Sequence, residues 1–319
     1  MGQTVRLIGA ILLFGGAQIV HAQAPFRVLA GFPPGGAVDV VARVVAERIG
    51  EATKRPALVE NRVGASGRLS IMAVKNAPAD GTMMVVIPDS ALTLFPHTVD
   101  QPPFGIDDFV PVAHVGNFET GLAVGASAPG DLKSWVAWVK ADRKNAIYGS
   151  PSAGSNQHFV GYVLGEAIGV PLEHVSYNGV GPTINGVLGG HVPSVVLPMA
   201  QLLPLAKAGK LRILAHSGAQ RSASGPEIPT FKEQGYPSLA LSGWYLIVMH
   251  AATKPELVAQ LNGVINQSLR SASVQERLRT QDLELQEMAP QEIGARLRTE
   301  FERWRPVVRA SGFKTNTGL

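Results

Sequence analysis

Short apolar runs alternate along this chain with segments whose apolar residues recur at helical spacing. The runs Phe26–Gly31, Ala57–Glu60 and Met83–Pro88 predict strands. Between the first two, Val38, Val41, Ala42, Val45 and Ile49 share one helical face, and Gly50 suits the position just past its end. A helix is predicted from the Asn61–Gly67 loop to Asn76, then a turn at Pro78-Ala79-Asp80-Gly81. Phe109–Val115 and Gly121–Gly125 predict strands near a crossing between domains. Beyond them, strands at Ala146–Gly149, His174–Tyr177, Val192–Leu197 and Leu211–His216 alternate with helices at Leu132–Arg143, Ser155–Ile168, Pro182–Leu188 and Gln201–Ala208. Gly243–His250 is a late strand, and helices follow at Pro255–Ser271, Val274–Thr280 and Pro290–Ser311. This βαβ rhythm predicts an α/β protein.

The first residues stand outside that rhythm. Arg6 gives a basic start, Leu7–Val20 is apolar, and Val20-His21-Ala22 and Ala22-Gln23-Ala24 both fit a small-x-small cleavage site. Residues 1–24 therefore read as a cleaved secretory signal peptide, which predicts an exported mature chain. The apolar stretch is shorter than the roughly 20 residues of a membrane span. With no cysteine in the chain, a lipoprotein anchor is excluded. The remaining length is about twice that of a typical domain and predicts two. Apolar residues make up 45% and charged residues 16%, enough for a large core and too few charges for disorder. The net charge of +4 is mild, and no basic run interleaves with aromatics, so nucleic acid is not an expected partner.

The candidate chemistry lies in glycine-rich loops that lead from strands into helices. Phe32-Pro33-Pro34-Gly35-Gly36-Ala37-Val38-Asp39 joins the first strand to its helix and contains no nucleophile, metal ligand or Walker lysine. Bare backbone N–H groups at a helix start attract an anion such as a carboxylate. The device recurs at Tyr148–His158, where Ser155 suits the N-cap and His158 the third helical position, and at Ser176–Pro182, where Asn178 and Gly179 suit a sharp turn. Phe32, Pro34, Gly35, Gly36, Asp39 and Ser90 are the candidate ligand-binding residues of one domain; Gly154, Ser155, His158, Asn178 and Gly179 are those of the other. Asp39 is expected to bind a water or a ligand ammonium. An acid in a first helical turn also stabilises the helix dipole by about 0.3–1 kcal/mol whatever the function.

Enzyme readings fit less well. Gly149-Ser150-Pro151-Ser152-Ala153-Gly154 does not satisfy Gly-x-Ser-x-Gly, and Gly179–Ile184 lacks the third glycine of a dinucleotide fingerprint. The histidines are scattered singly, without metal-ligand spacing, so neither a metal nor a cofactor is expected. An exported hydrolase using Ser152 or Ser155 with His158 is the enzymatic alternative.

These motifs together resemble the Bug family of periplasmic solute-binding proteins, the binding component of tripartite tricarboxylate transporters. The resemblance rests on Phe32-Pro-Pro-Gly-Gly-x-x-Asp39, Val59-Glu60-Asn61-Arg62-x-Gly64-Ala65-x-Gly67, Pro78-x-Asp80-Gly81 and Tyr148-Gly149-Ser150 through Gly154-Ser155-x-x-His158. It continues through His174-Val-x-Tyr177-x-Gly179, Gly209-Lys210-Leu211-Arg212, Pro229-Thr230-x-x-Glu233-x-Gly235 and Glu302-x-Trp304 to Ser311-Gly312. It implies a two-domain Venus flytrap with a central cleft. One domain would be formed by 25–120 and 228–319, and 121–227 would be inserted in it. It further implies a non-enzymatic monomer that captures a small carboxylate for membrane permease subunits, or that presents its closed form to a sensor protein. This chain departs from the family pattern at Asn178, where Lys or Arg is usual, at Pro198-Met199-Ala200, and at Arg68-Leu69-Ser70, where small residues are usual. The missing cation at 178 shifts the expected ligand away from a polycarboxylate, toward a monocarboxylate, aromatic acid or neutral amide.

Overall fold

The computed structural model describes residues 24–315; all but the last residue of the expected signal peptide, 1–24, lies outside the described residues. The first stretch runs β1 (Phe26–Ala30), α1 (Ala37–Thr53), β2 (Ala57–Asn61), α2 (Arg68–Lys75), β3 (Met83–Pro88), α3 (Ser90–Thr93) and β4 (Phe109–Phe118). The middle stretch runs β5 (Thr120–Val124), α4 (Leu132–Ala141), β6 (Ile147–Ser150), α5 (Asn156–Ile168), β7 (Glu173–Ser176), α6 (Val180–Leu188), β8 (Ser194–Pro198), α7 (Met199–Lys207) and β9 (Arg212–His216). The last stretch runs β10 (Gly243–His250), α8 (Pro255–Leu269), α9 (Ala272–Arg279), β11 (Glu284–Leu285) and α10 (Pro290–Ser311). The periodicity had not revealed α3 or β11. One is a single turn, and the other is a two-residue edge strand that follows left-handed Asp282.

Two sheets carry the fold, ordered β11-β4-β10-β3-β1-β2 and β7-β6-β8-β5-β9. In the first, β1 is parallel to β2 and β3, while β10 is antiparallel to β3 and β4. In the second, β6 is parallel to β7 and β8, while β5 is antiparallel to β8 and β9. The shared pattern is a parallel trio extended by an antiparallel strand that has just arrived from the other sheet. Apolar clusters cover both faces of each sheet, as parallel sheets require. Val41, Val45 and Ile49 of α1 pack with Leu261 of α8 on one face of the first sheet, and Ile71 and Val74 of α2 on the other. Trp135 and Phe159 cover one face of the second sheet, and Val187 and Leu202 the other.

Only Glu119 separates β4 from β5. The chain does not rejoin the first sheet until Gly243, because the apolar residues before it belong elsewhere. Ile228 packs with Met199 and Leu203, and Phe231, Leu239 and Leu241 join the core beneath the second sheet, although 228 onward was expected in the outer domain. The two crossings lie side by side: Thr120 and Ser217 exchange hydrogen bonds, and Leu241 N–H donates to the Ser217 carbonyl. Helix α10 forms a third connection. Its Ile293 and Leu297 enter the first unit's core, and its Trp304 and Val308 the second's.

Candidate functional site

Because β1, β2 and β3 run parallel, their carboxyl ends share one edge, and the loops Gly31–Gly36 and Arg62–Gly67 meet there. They meet closely. A Cβ on Gly31 would collide with Gly67 Cα, and one on Gly67 would lie 3.1 Å from the Phe32 ring. Phe32 is half-buried, Pro34 and Gly35 are exposed, and Gly36 is the N-cap of α1 without any side-chain cap. The amides of Ala37, Val38 and Asp39 consequently have no protein acceptor among the described residues.

Asp39 does not have the role expected of it. It is 2% exposed, and its oxygens are occupied internally. Oδ2 accepts from Gly35 N at 3.0 Å and Arg43 Nε at 2.9 Å, and Oδ1 from Asn61 Nδ2 at 2.8 Å and Arg43 Nη2 at 3.0 Å. Burial favours the protonated acid, but Arg43, Gly35 and Asn61 together hold the carboxyl below the usual range. Instead of meeting a water or an ammonium, Asp39 ties the glycine loop to the end of β2. Asn61, which also donates to the Phe32 carbonyl at 3.1 Å, completes this knot. Gly35 adopts φ +85°, which permits the turn that brings its N–H back to Asp39.

Ser90 opens α3 beyond β3 and is 8% exposed; its hydroxyl has no partner among the described residues. Beside it, Asp89 is fully buried and accepts from Trp244 N at 3.0 Å and the Thr93 hydroxyl at 3.3 Å. Burial, helped by Glu300, pushes its carboxyl up to about 7.

The second sheet presents a matching edge. Ser155 caps α5 by accepting from His158 N at 3.2 Å, while its own hydroxyl donates to Ser152 O at 2.7 Å. Gly154, at φ +76°, donates its N–H to His158 Nδ1 at 3.1 Å, so that imidazole carries its proton on Nε2. His158 stacks on His174 with centroids 4.0 Å apart, and His174 Nε2 meets Ser150 Oγ at 2.7 Å. Burial, then the neighbouring ring, lowers His158 to about 3, and burial lowers His174 to about 4, so both are neutral. Gly179, at φ +108°, donates to Pro151 O at 2.9 Å and so fastens the third loop to the second; Asn178 beside it is exposed. The amides of Asn156 and Gln157 on α5, and of Val180 and Gly181 on α6, lack protein acceptors among the described residues.

Ser66, which sequence reasoning missed, and Ser152, which it considered only as a nucleophile, join the two edges. Their hydroxyls are 2.6 Å apart. Ser66 and Ala65 are consecutive non-glycine residues at φ +56° and +47°, a strained turn of the kind found at ligand clamps. Nothing in Gly64-Ala65-Ser66-Gly67 announces left-handed backbone at its two middle positions. A second seam forms at the C-terminal end of the described chain. Thr315 N donates to Thr98 O at 2.7 Å, and the Phe313 ring lies edge-on to His158 at 4.6 Å.

Neither Ser152 nor Ser155 hydrogen-bonds the His158 ring, and the part-buried Ser150–His174 pair has no carboxylate behind it among the described residues. Among the described residues no group of three or more His, Cys, Asp or Glu could hold a metal, and no helix is long and apolar enough to cross a membrane. Two surface depressions, of about 200 Å³ beside Arg270 and about 180 Å³ beside Arg305, are not lined by the residues that carry the unpartnered amides, although Phe313 of the second touches His158.

Residues 41–313 match the model of the tripartite tricarboxylate transporter family receptor. Protein BugT of Bordetella pertussis is 31% identical over 91% of this chain and 90% of its own length. A solved periplasmic transporter superposes with TM-score 0.84 at 26% identity, covering 92% of this chain and 99% of its own. The R. palustris protein Rpa4515, solved with adipate, has TM-score 0.83 at 25% identity and covers 91% and 98%. The two-sheet architecture and the match along nearly the whole described chain lead to one assignment: this chain belongs to the tripartite tricarboxylate transporter receptor family and is a periplasmic solute-binding protein of the Bug type, with a two-domain binding-protein fold.

Proposed function

We propose that this protein captures a small organic carboxylate between its two sheet edges and delivers it to the membrane subunits of a tripartite transporter. The observation that carries this reading is a pair of unpartnered amide sets. Ala37, Val38 and Asp39 open α1 on one edge, Asn156 and Gln157 open α5 on the other, and Ser66–Ser152 ties the edges together. Each set supplies N–H donors at the positive end of a helix dipole, which is the chemistry that receives a carboxylate. The adipate bound by the related Rpa4515 protein supports the ligand class.

In this reading Phe32, Pro34 and Gly36 shape and supply the first wall. Ser90 offers a free hydroxyl, and Gly154, Ser155, His158 Nε2–H, Asn178 and Gly179 close the second wall. Gly35 and Asp39 position the loop without touching the ligand. The domains meet at Glu119 and again at Ser242. Residues 1–24 act as a cleaved export signal. Closure follows from a ligand that binds the closed arrangement more tightly than the open one.

Isothermal titration and thermal shift against a panel of mono-, di- and aromatic carboxylates test the reading. A carboxylate at about 100 times its Kd adds roughly 2.7 kcal/mol of stability. If amides or sugars bind and no carboxylate does, the proposal fails. Co-purification with membrane subunits, as against a sensor's exported domain, decides the partner.

A further inference from the structure

Most arginines here are engaged. Among the described residues, only Arg68, Arg143, Arg298 and Arg309 have side chains that make neither a hydrogen bond nor an ion pair, and the last three are exposed. Arg68 differs from them. It is half-buried, its Nε has neither solvent nor partner, and its guanidinium carbon lies 4.7 Å above the Phe95 ring centroid. Leaving a guanidinium N–H withdrawn from water and unpaired costs free energy, so this chain keeps a cation where stability alone would not place one.

Its position matches the site proposed above. Arg68 is the first residue of α2 and follows directly on Gly67, which touches Phe32, and Ser66, which reaches across to Ser152. Phe95 follows α3, which Ser90 opens at the carboxyl end of β3. Arg68 therefore stands at the carboxyl edge of the first sheet. It starts from the face opposite α1, with the Gly31–Gly67 contact between it and the α1 amides. Stacking on Phe95 holds the planar fork in one orientation, which reduces the entropy lost on pairing.

We propose that Arg68 is a ligand-binding, specificity-determining residue that pairs with a second carboxylate of the ligand, making this receptor selective for dicarboxylates. The inference rests on the carboxylate-capture reading above and identifies its substrate class. It also reverses the expectation drawn from Asn178: the cation absent from the second domain is supplied from the first. Burial lowers the Arg68 pKa from its ordinary value, in keeping with a cation that lacks its counter-charge. A ligand carboxylate would restore both charge and hydrogen bonding, and a bidentate guanidinium–carboxylate pair is among the stronger polar contacts available.

The test compares each straight-chain dicarboxylate from succinate to suberate with its own mono-amide, by titration calorimetry on wild-type protein, Arg68→Gln and Arg68→Lys. For the diacid that binds best, wild-type protein is expected to prefer the diacid over the mono-amide at least tenfold. Arg68→Gln should bring that ratio to within about twofold while mono-amide affinity stays near wild type, and Arg68→Lys should fall between. If wild-type protein binds the two ligands equally, the proposal is overturned without any variant. It is also overturned if Arg68→Gln weakens both equally, because that is the result of lost packing on Phe95. Binding of monocarboxylates with no diacid advantage sinks only the Arg68 assignment; binding of no carboxylate at all sinks the capture reading and this one with it.

Discussion

Replacing Asp39 by Asn tests whether this acid reads the ligand or builds the loop that does. Each of its oxygens accepts two bonds: Oδ2 from Gly35 N and Arg43 Nε, Oδ1 from Asn61 Nδ2 and Arg43 Nη2. An amide group at either position turns its two acceptor contacts into donor–donor contacts, so Asn can keep at most one of the Gly35 and Asn61 bonds. Hydrogen bonds to a charged group contribute about 1.5–3 kcal/mol each. Arg43 is 51% exposed and recovers water, so its share is discounted. The expected cost is about 2–3 kcal/mol, or roughly 3–5 °C in Tm for a chain of this size. Urea denaturation of the ligand-free protein measures it, and calorimetry on the same preparation measures affinity. Affinity should fall because the Gly35–Gly36 turn loosens before the α1 amides. Arg43→Ala, which breaks only the exposed side of the knot, should cost under about 1 kcal/mol. If Asp39→Asn keeps full stability within about 0.5 kcal/mol, typical of a neutral surface change, yet loses binding, then the carboxylate meets the ligand directly and the knot argument is wrong.

Other perturbations address the remaining contacts. Gly31→Ala should lower both stability and affinity, because its Cβ meets Gly67 Cα and backbone cannot move aside cheaply; wild-type melting and binding would refute the close approach. Ser152→Ala removes the hydroxyl bridge to Ser66 and should leave the ligand-free melt nearly unchanged while shifting solution scattering toward a more open form; unchanged scattering and affinity would remove the bridge from the closing mechanism. His158 and His174 sit near 3 and 4 against an ordinary 6.5. The unfolded chain binds more protons below 6.5, so stability falls on acidification, with a slope approaching about 1.4 kcal/mol per pH unit per histidine. His158→Gln should flatten that acid limb, and an unaltered limb would contradict the buried neutral pair. Asp89 acts in the opposite direction. With its carboxyl raised to about 7, the folded state keeps a proton the unfolded chain has released, so this contribution is lost as pH rises through 7. Asp89→Asn should remove the part of the decline that lies between the ordinary 3.8 and about 7, read by denaturation across that range.

Much of the architecture was legible because burial imposes periodicity. β3, β10 and α10 match the spans predicted from apolar spacing, and most other elements differ by a residue or two at their ends. Ser155 as N-cap of α5 was equally visible, since a hydroxyl followed by an apolar-periodic run has few other uses. The return crossing was not visible. Ile228 and Phe231 carry no local sign of which sheet they cover, and only the packing against Met199, Leu203 and Leu241 decides it. The left-handed pair Ala65–Ser66 was invisible for a related reason: tertiary contacts from Ser152 and Phe32 accompany a turn that local preference disfavours.

By itself, then, the order of apolar and polar residues determined an α/β chain with glycine-rich loops before its helices, and the ordered motifs determined its family. It could do so because hydrophobic spacing and backbone-permissive residues act locally. Tertiary structure decided what each loop residue does. Asp39 stands beside an anion cradle in the sequence, yet in the fold Gly35, Arg43 and Asn61 occupy its oxygens. Arg68 is only a departure after a glycine until Phe95 lies beneath it and, among the described residues, no acid pairs with it. Charge and hydrogen bonding depend on which groups distant in the chain come within a few ångströms, and only the folded molecule specifies that.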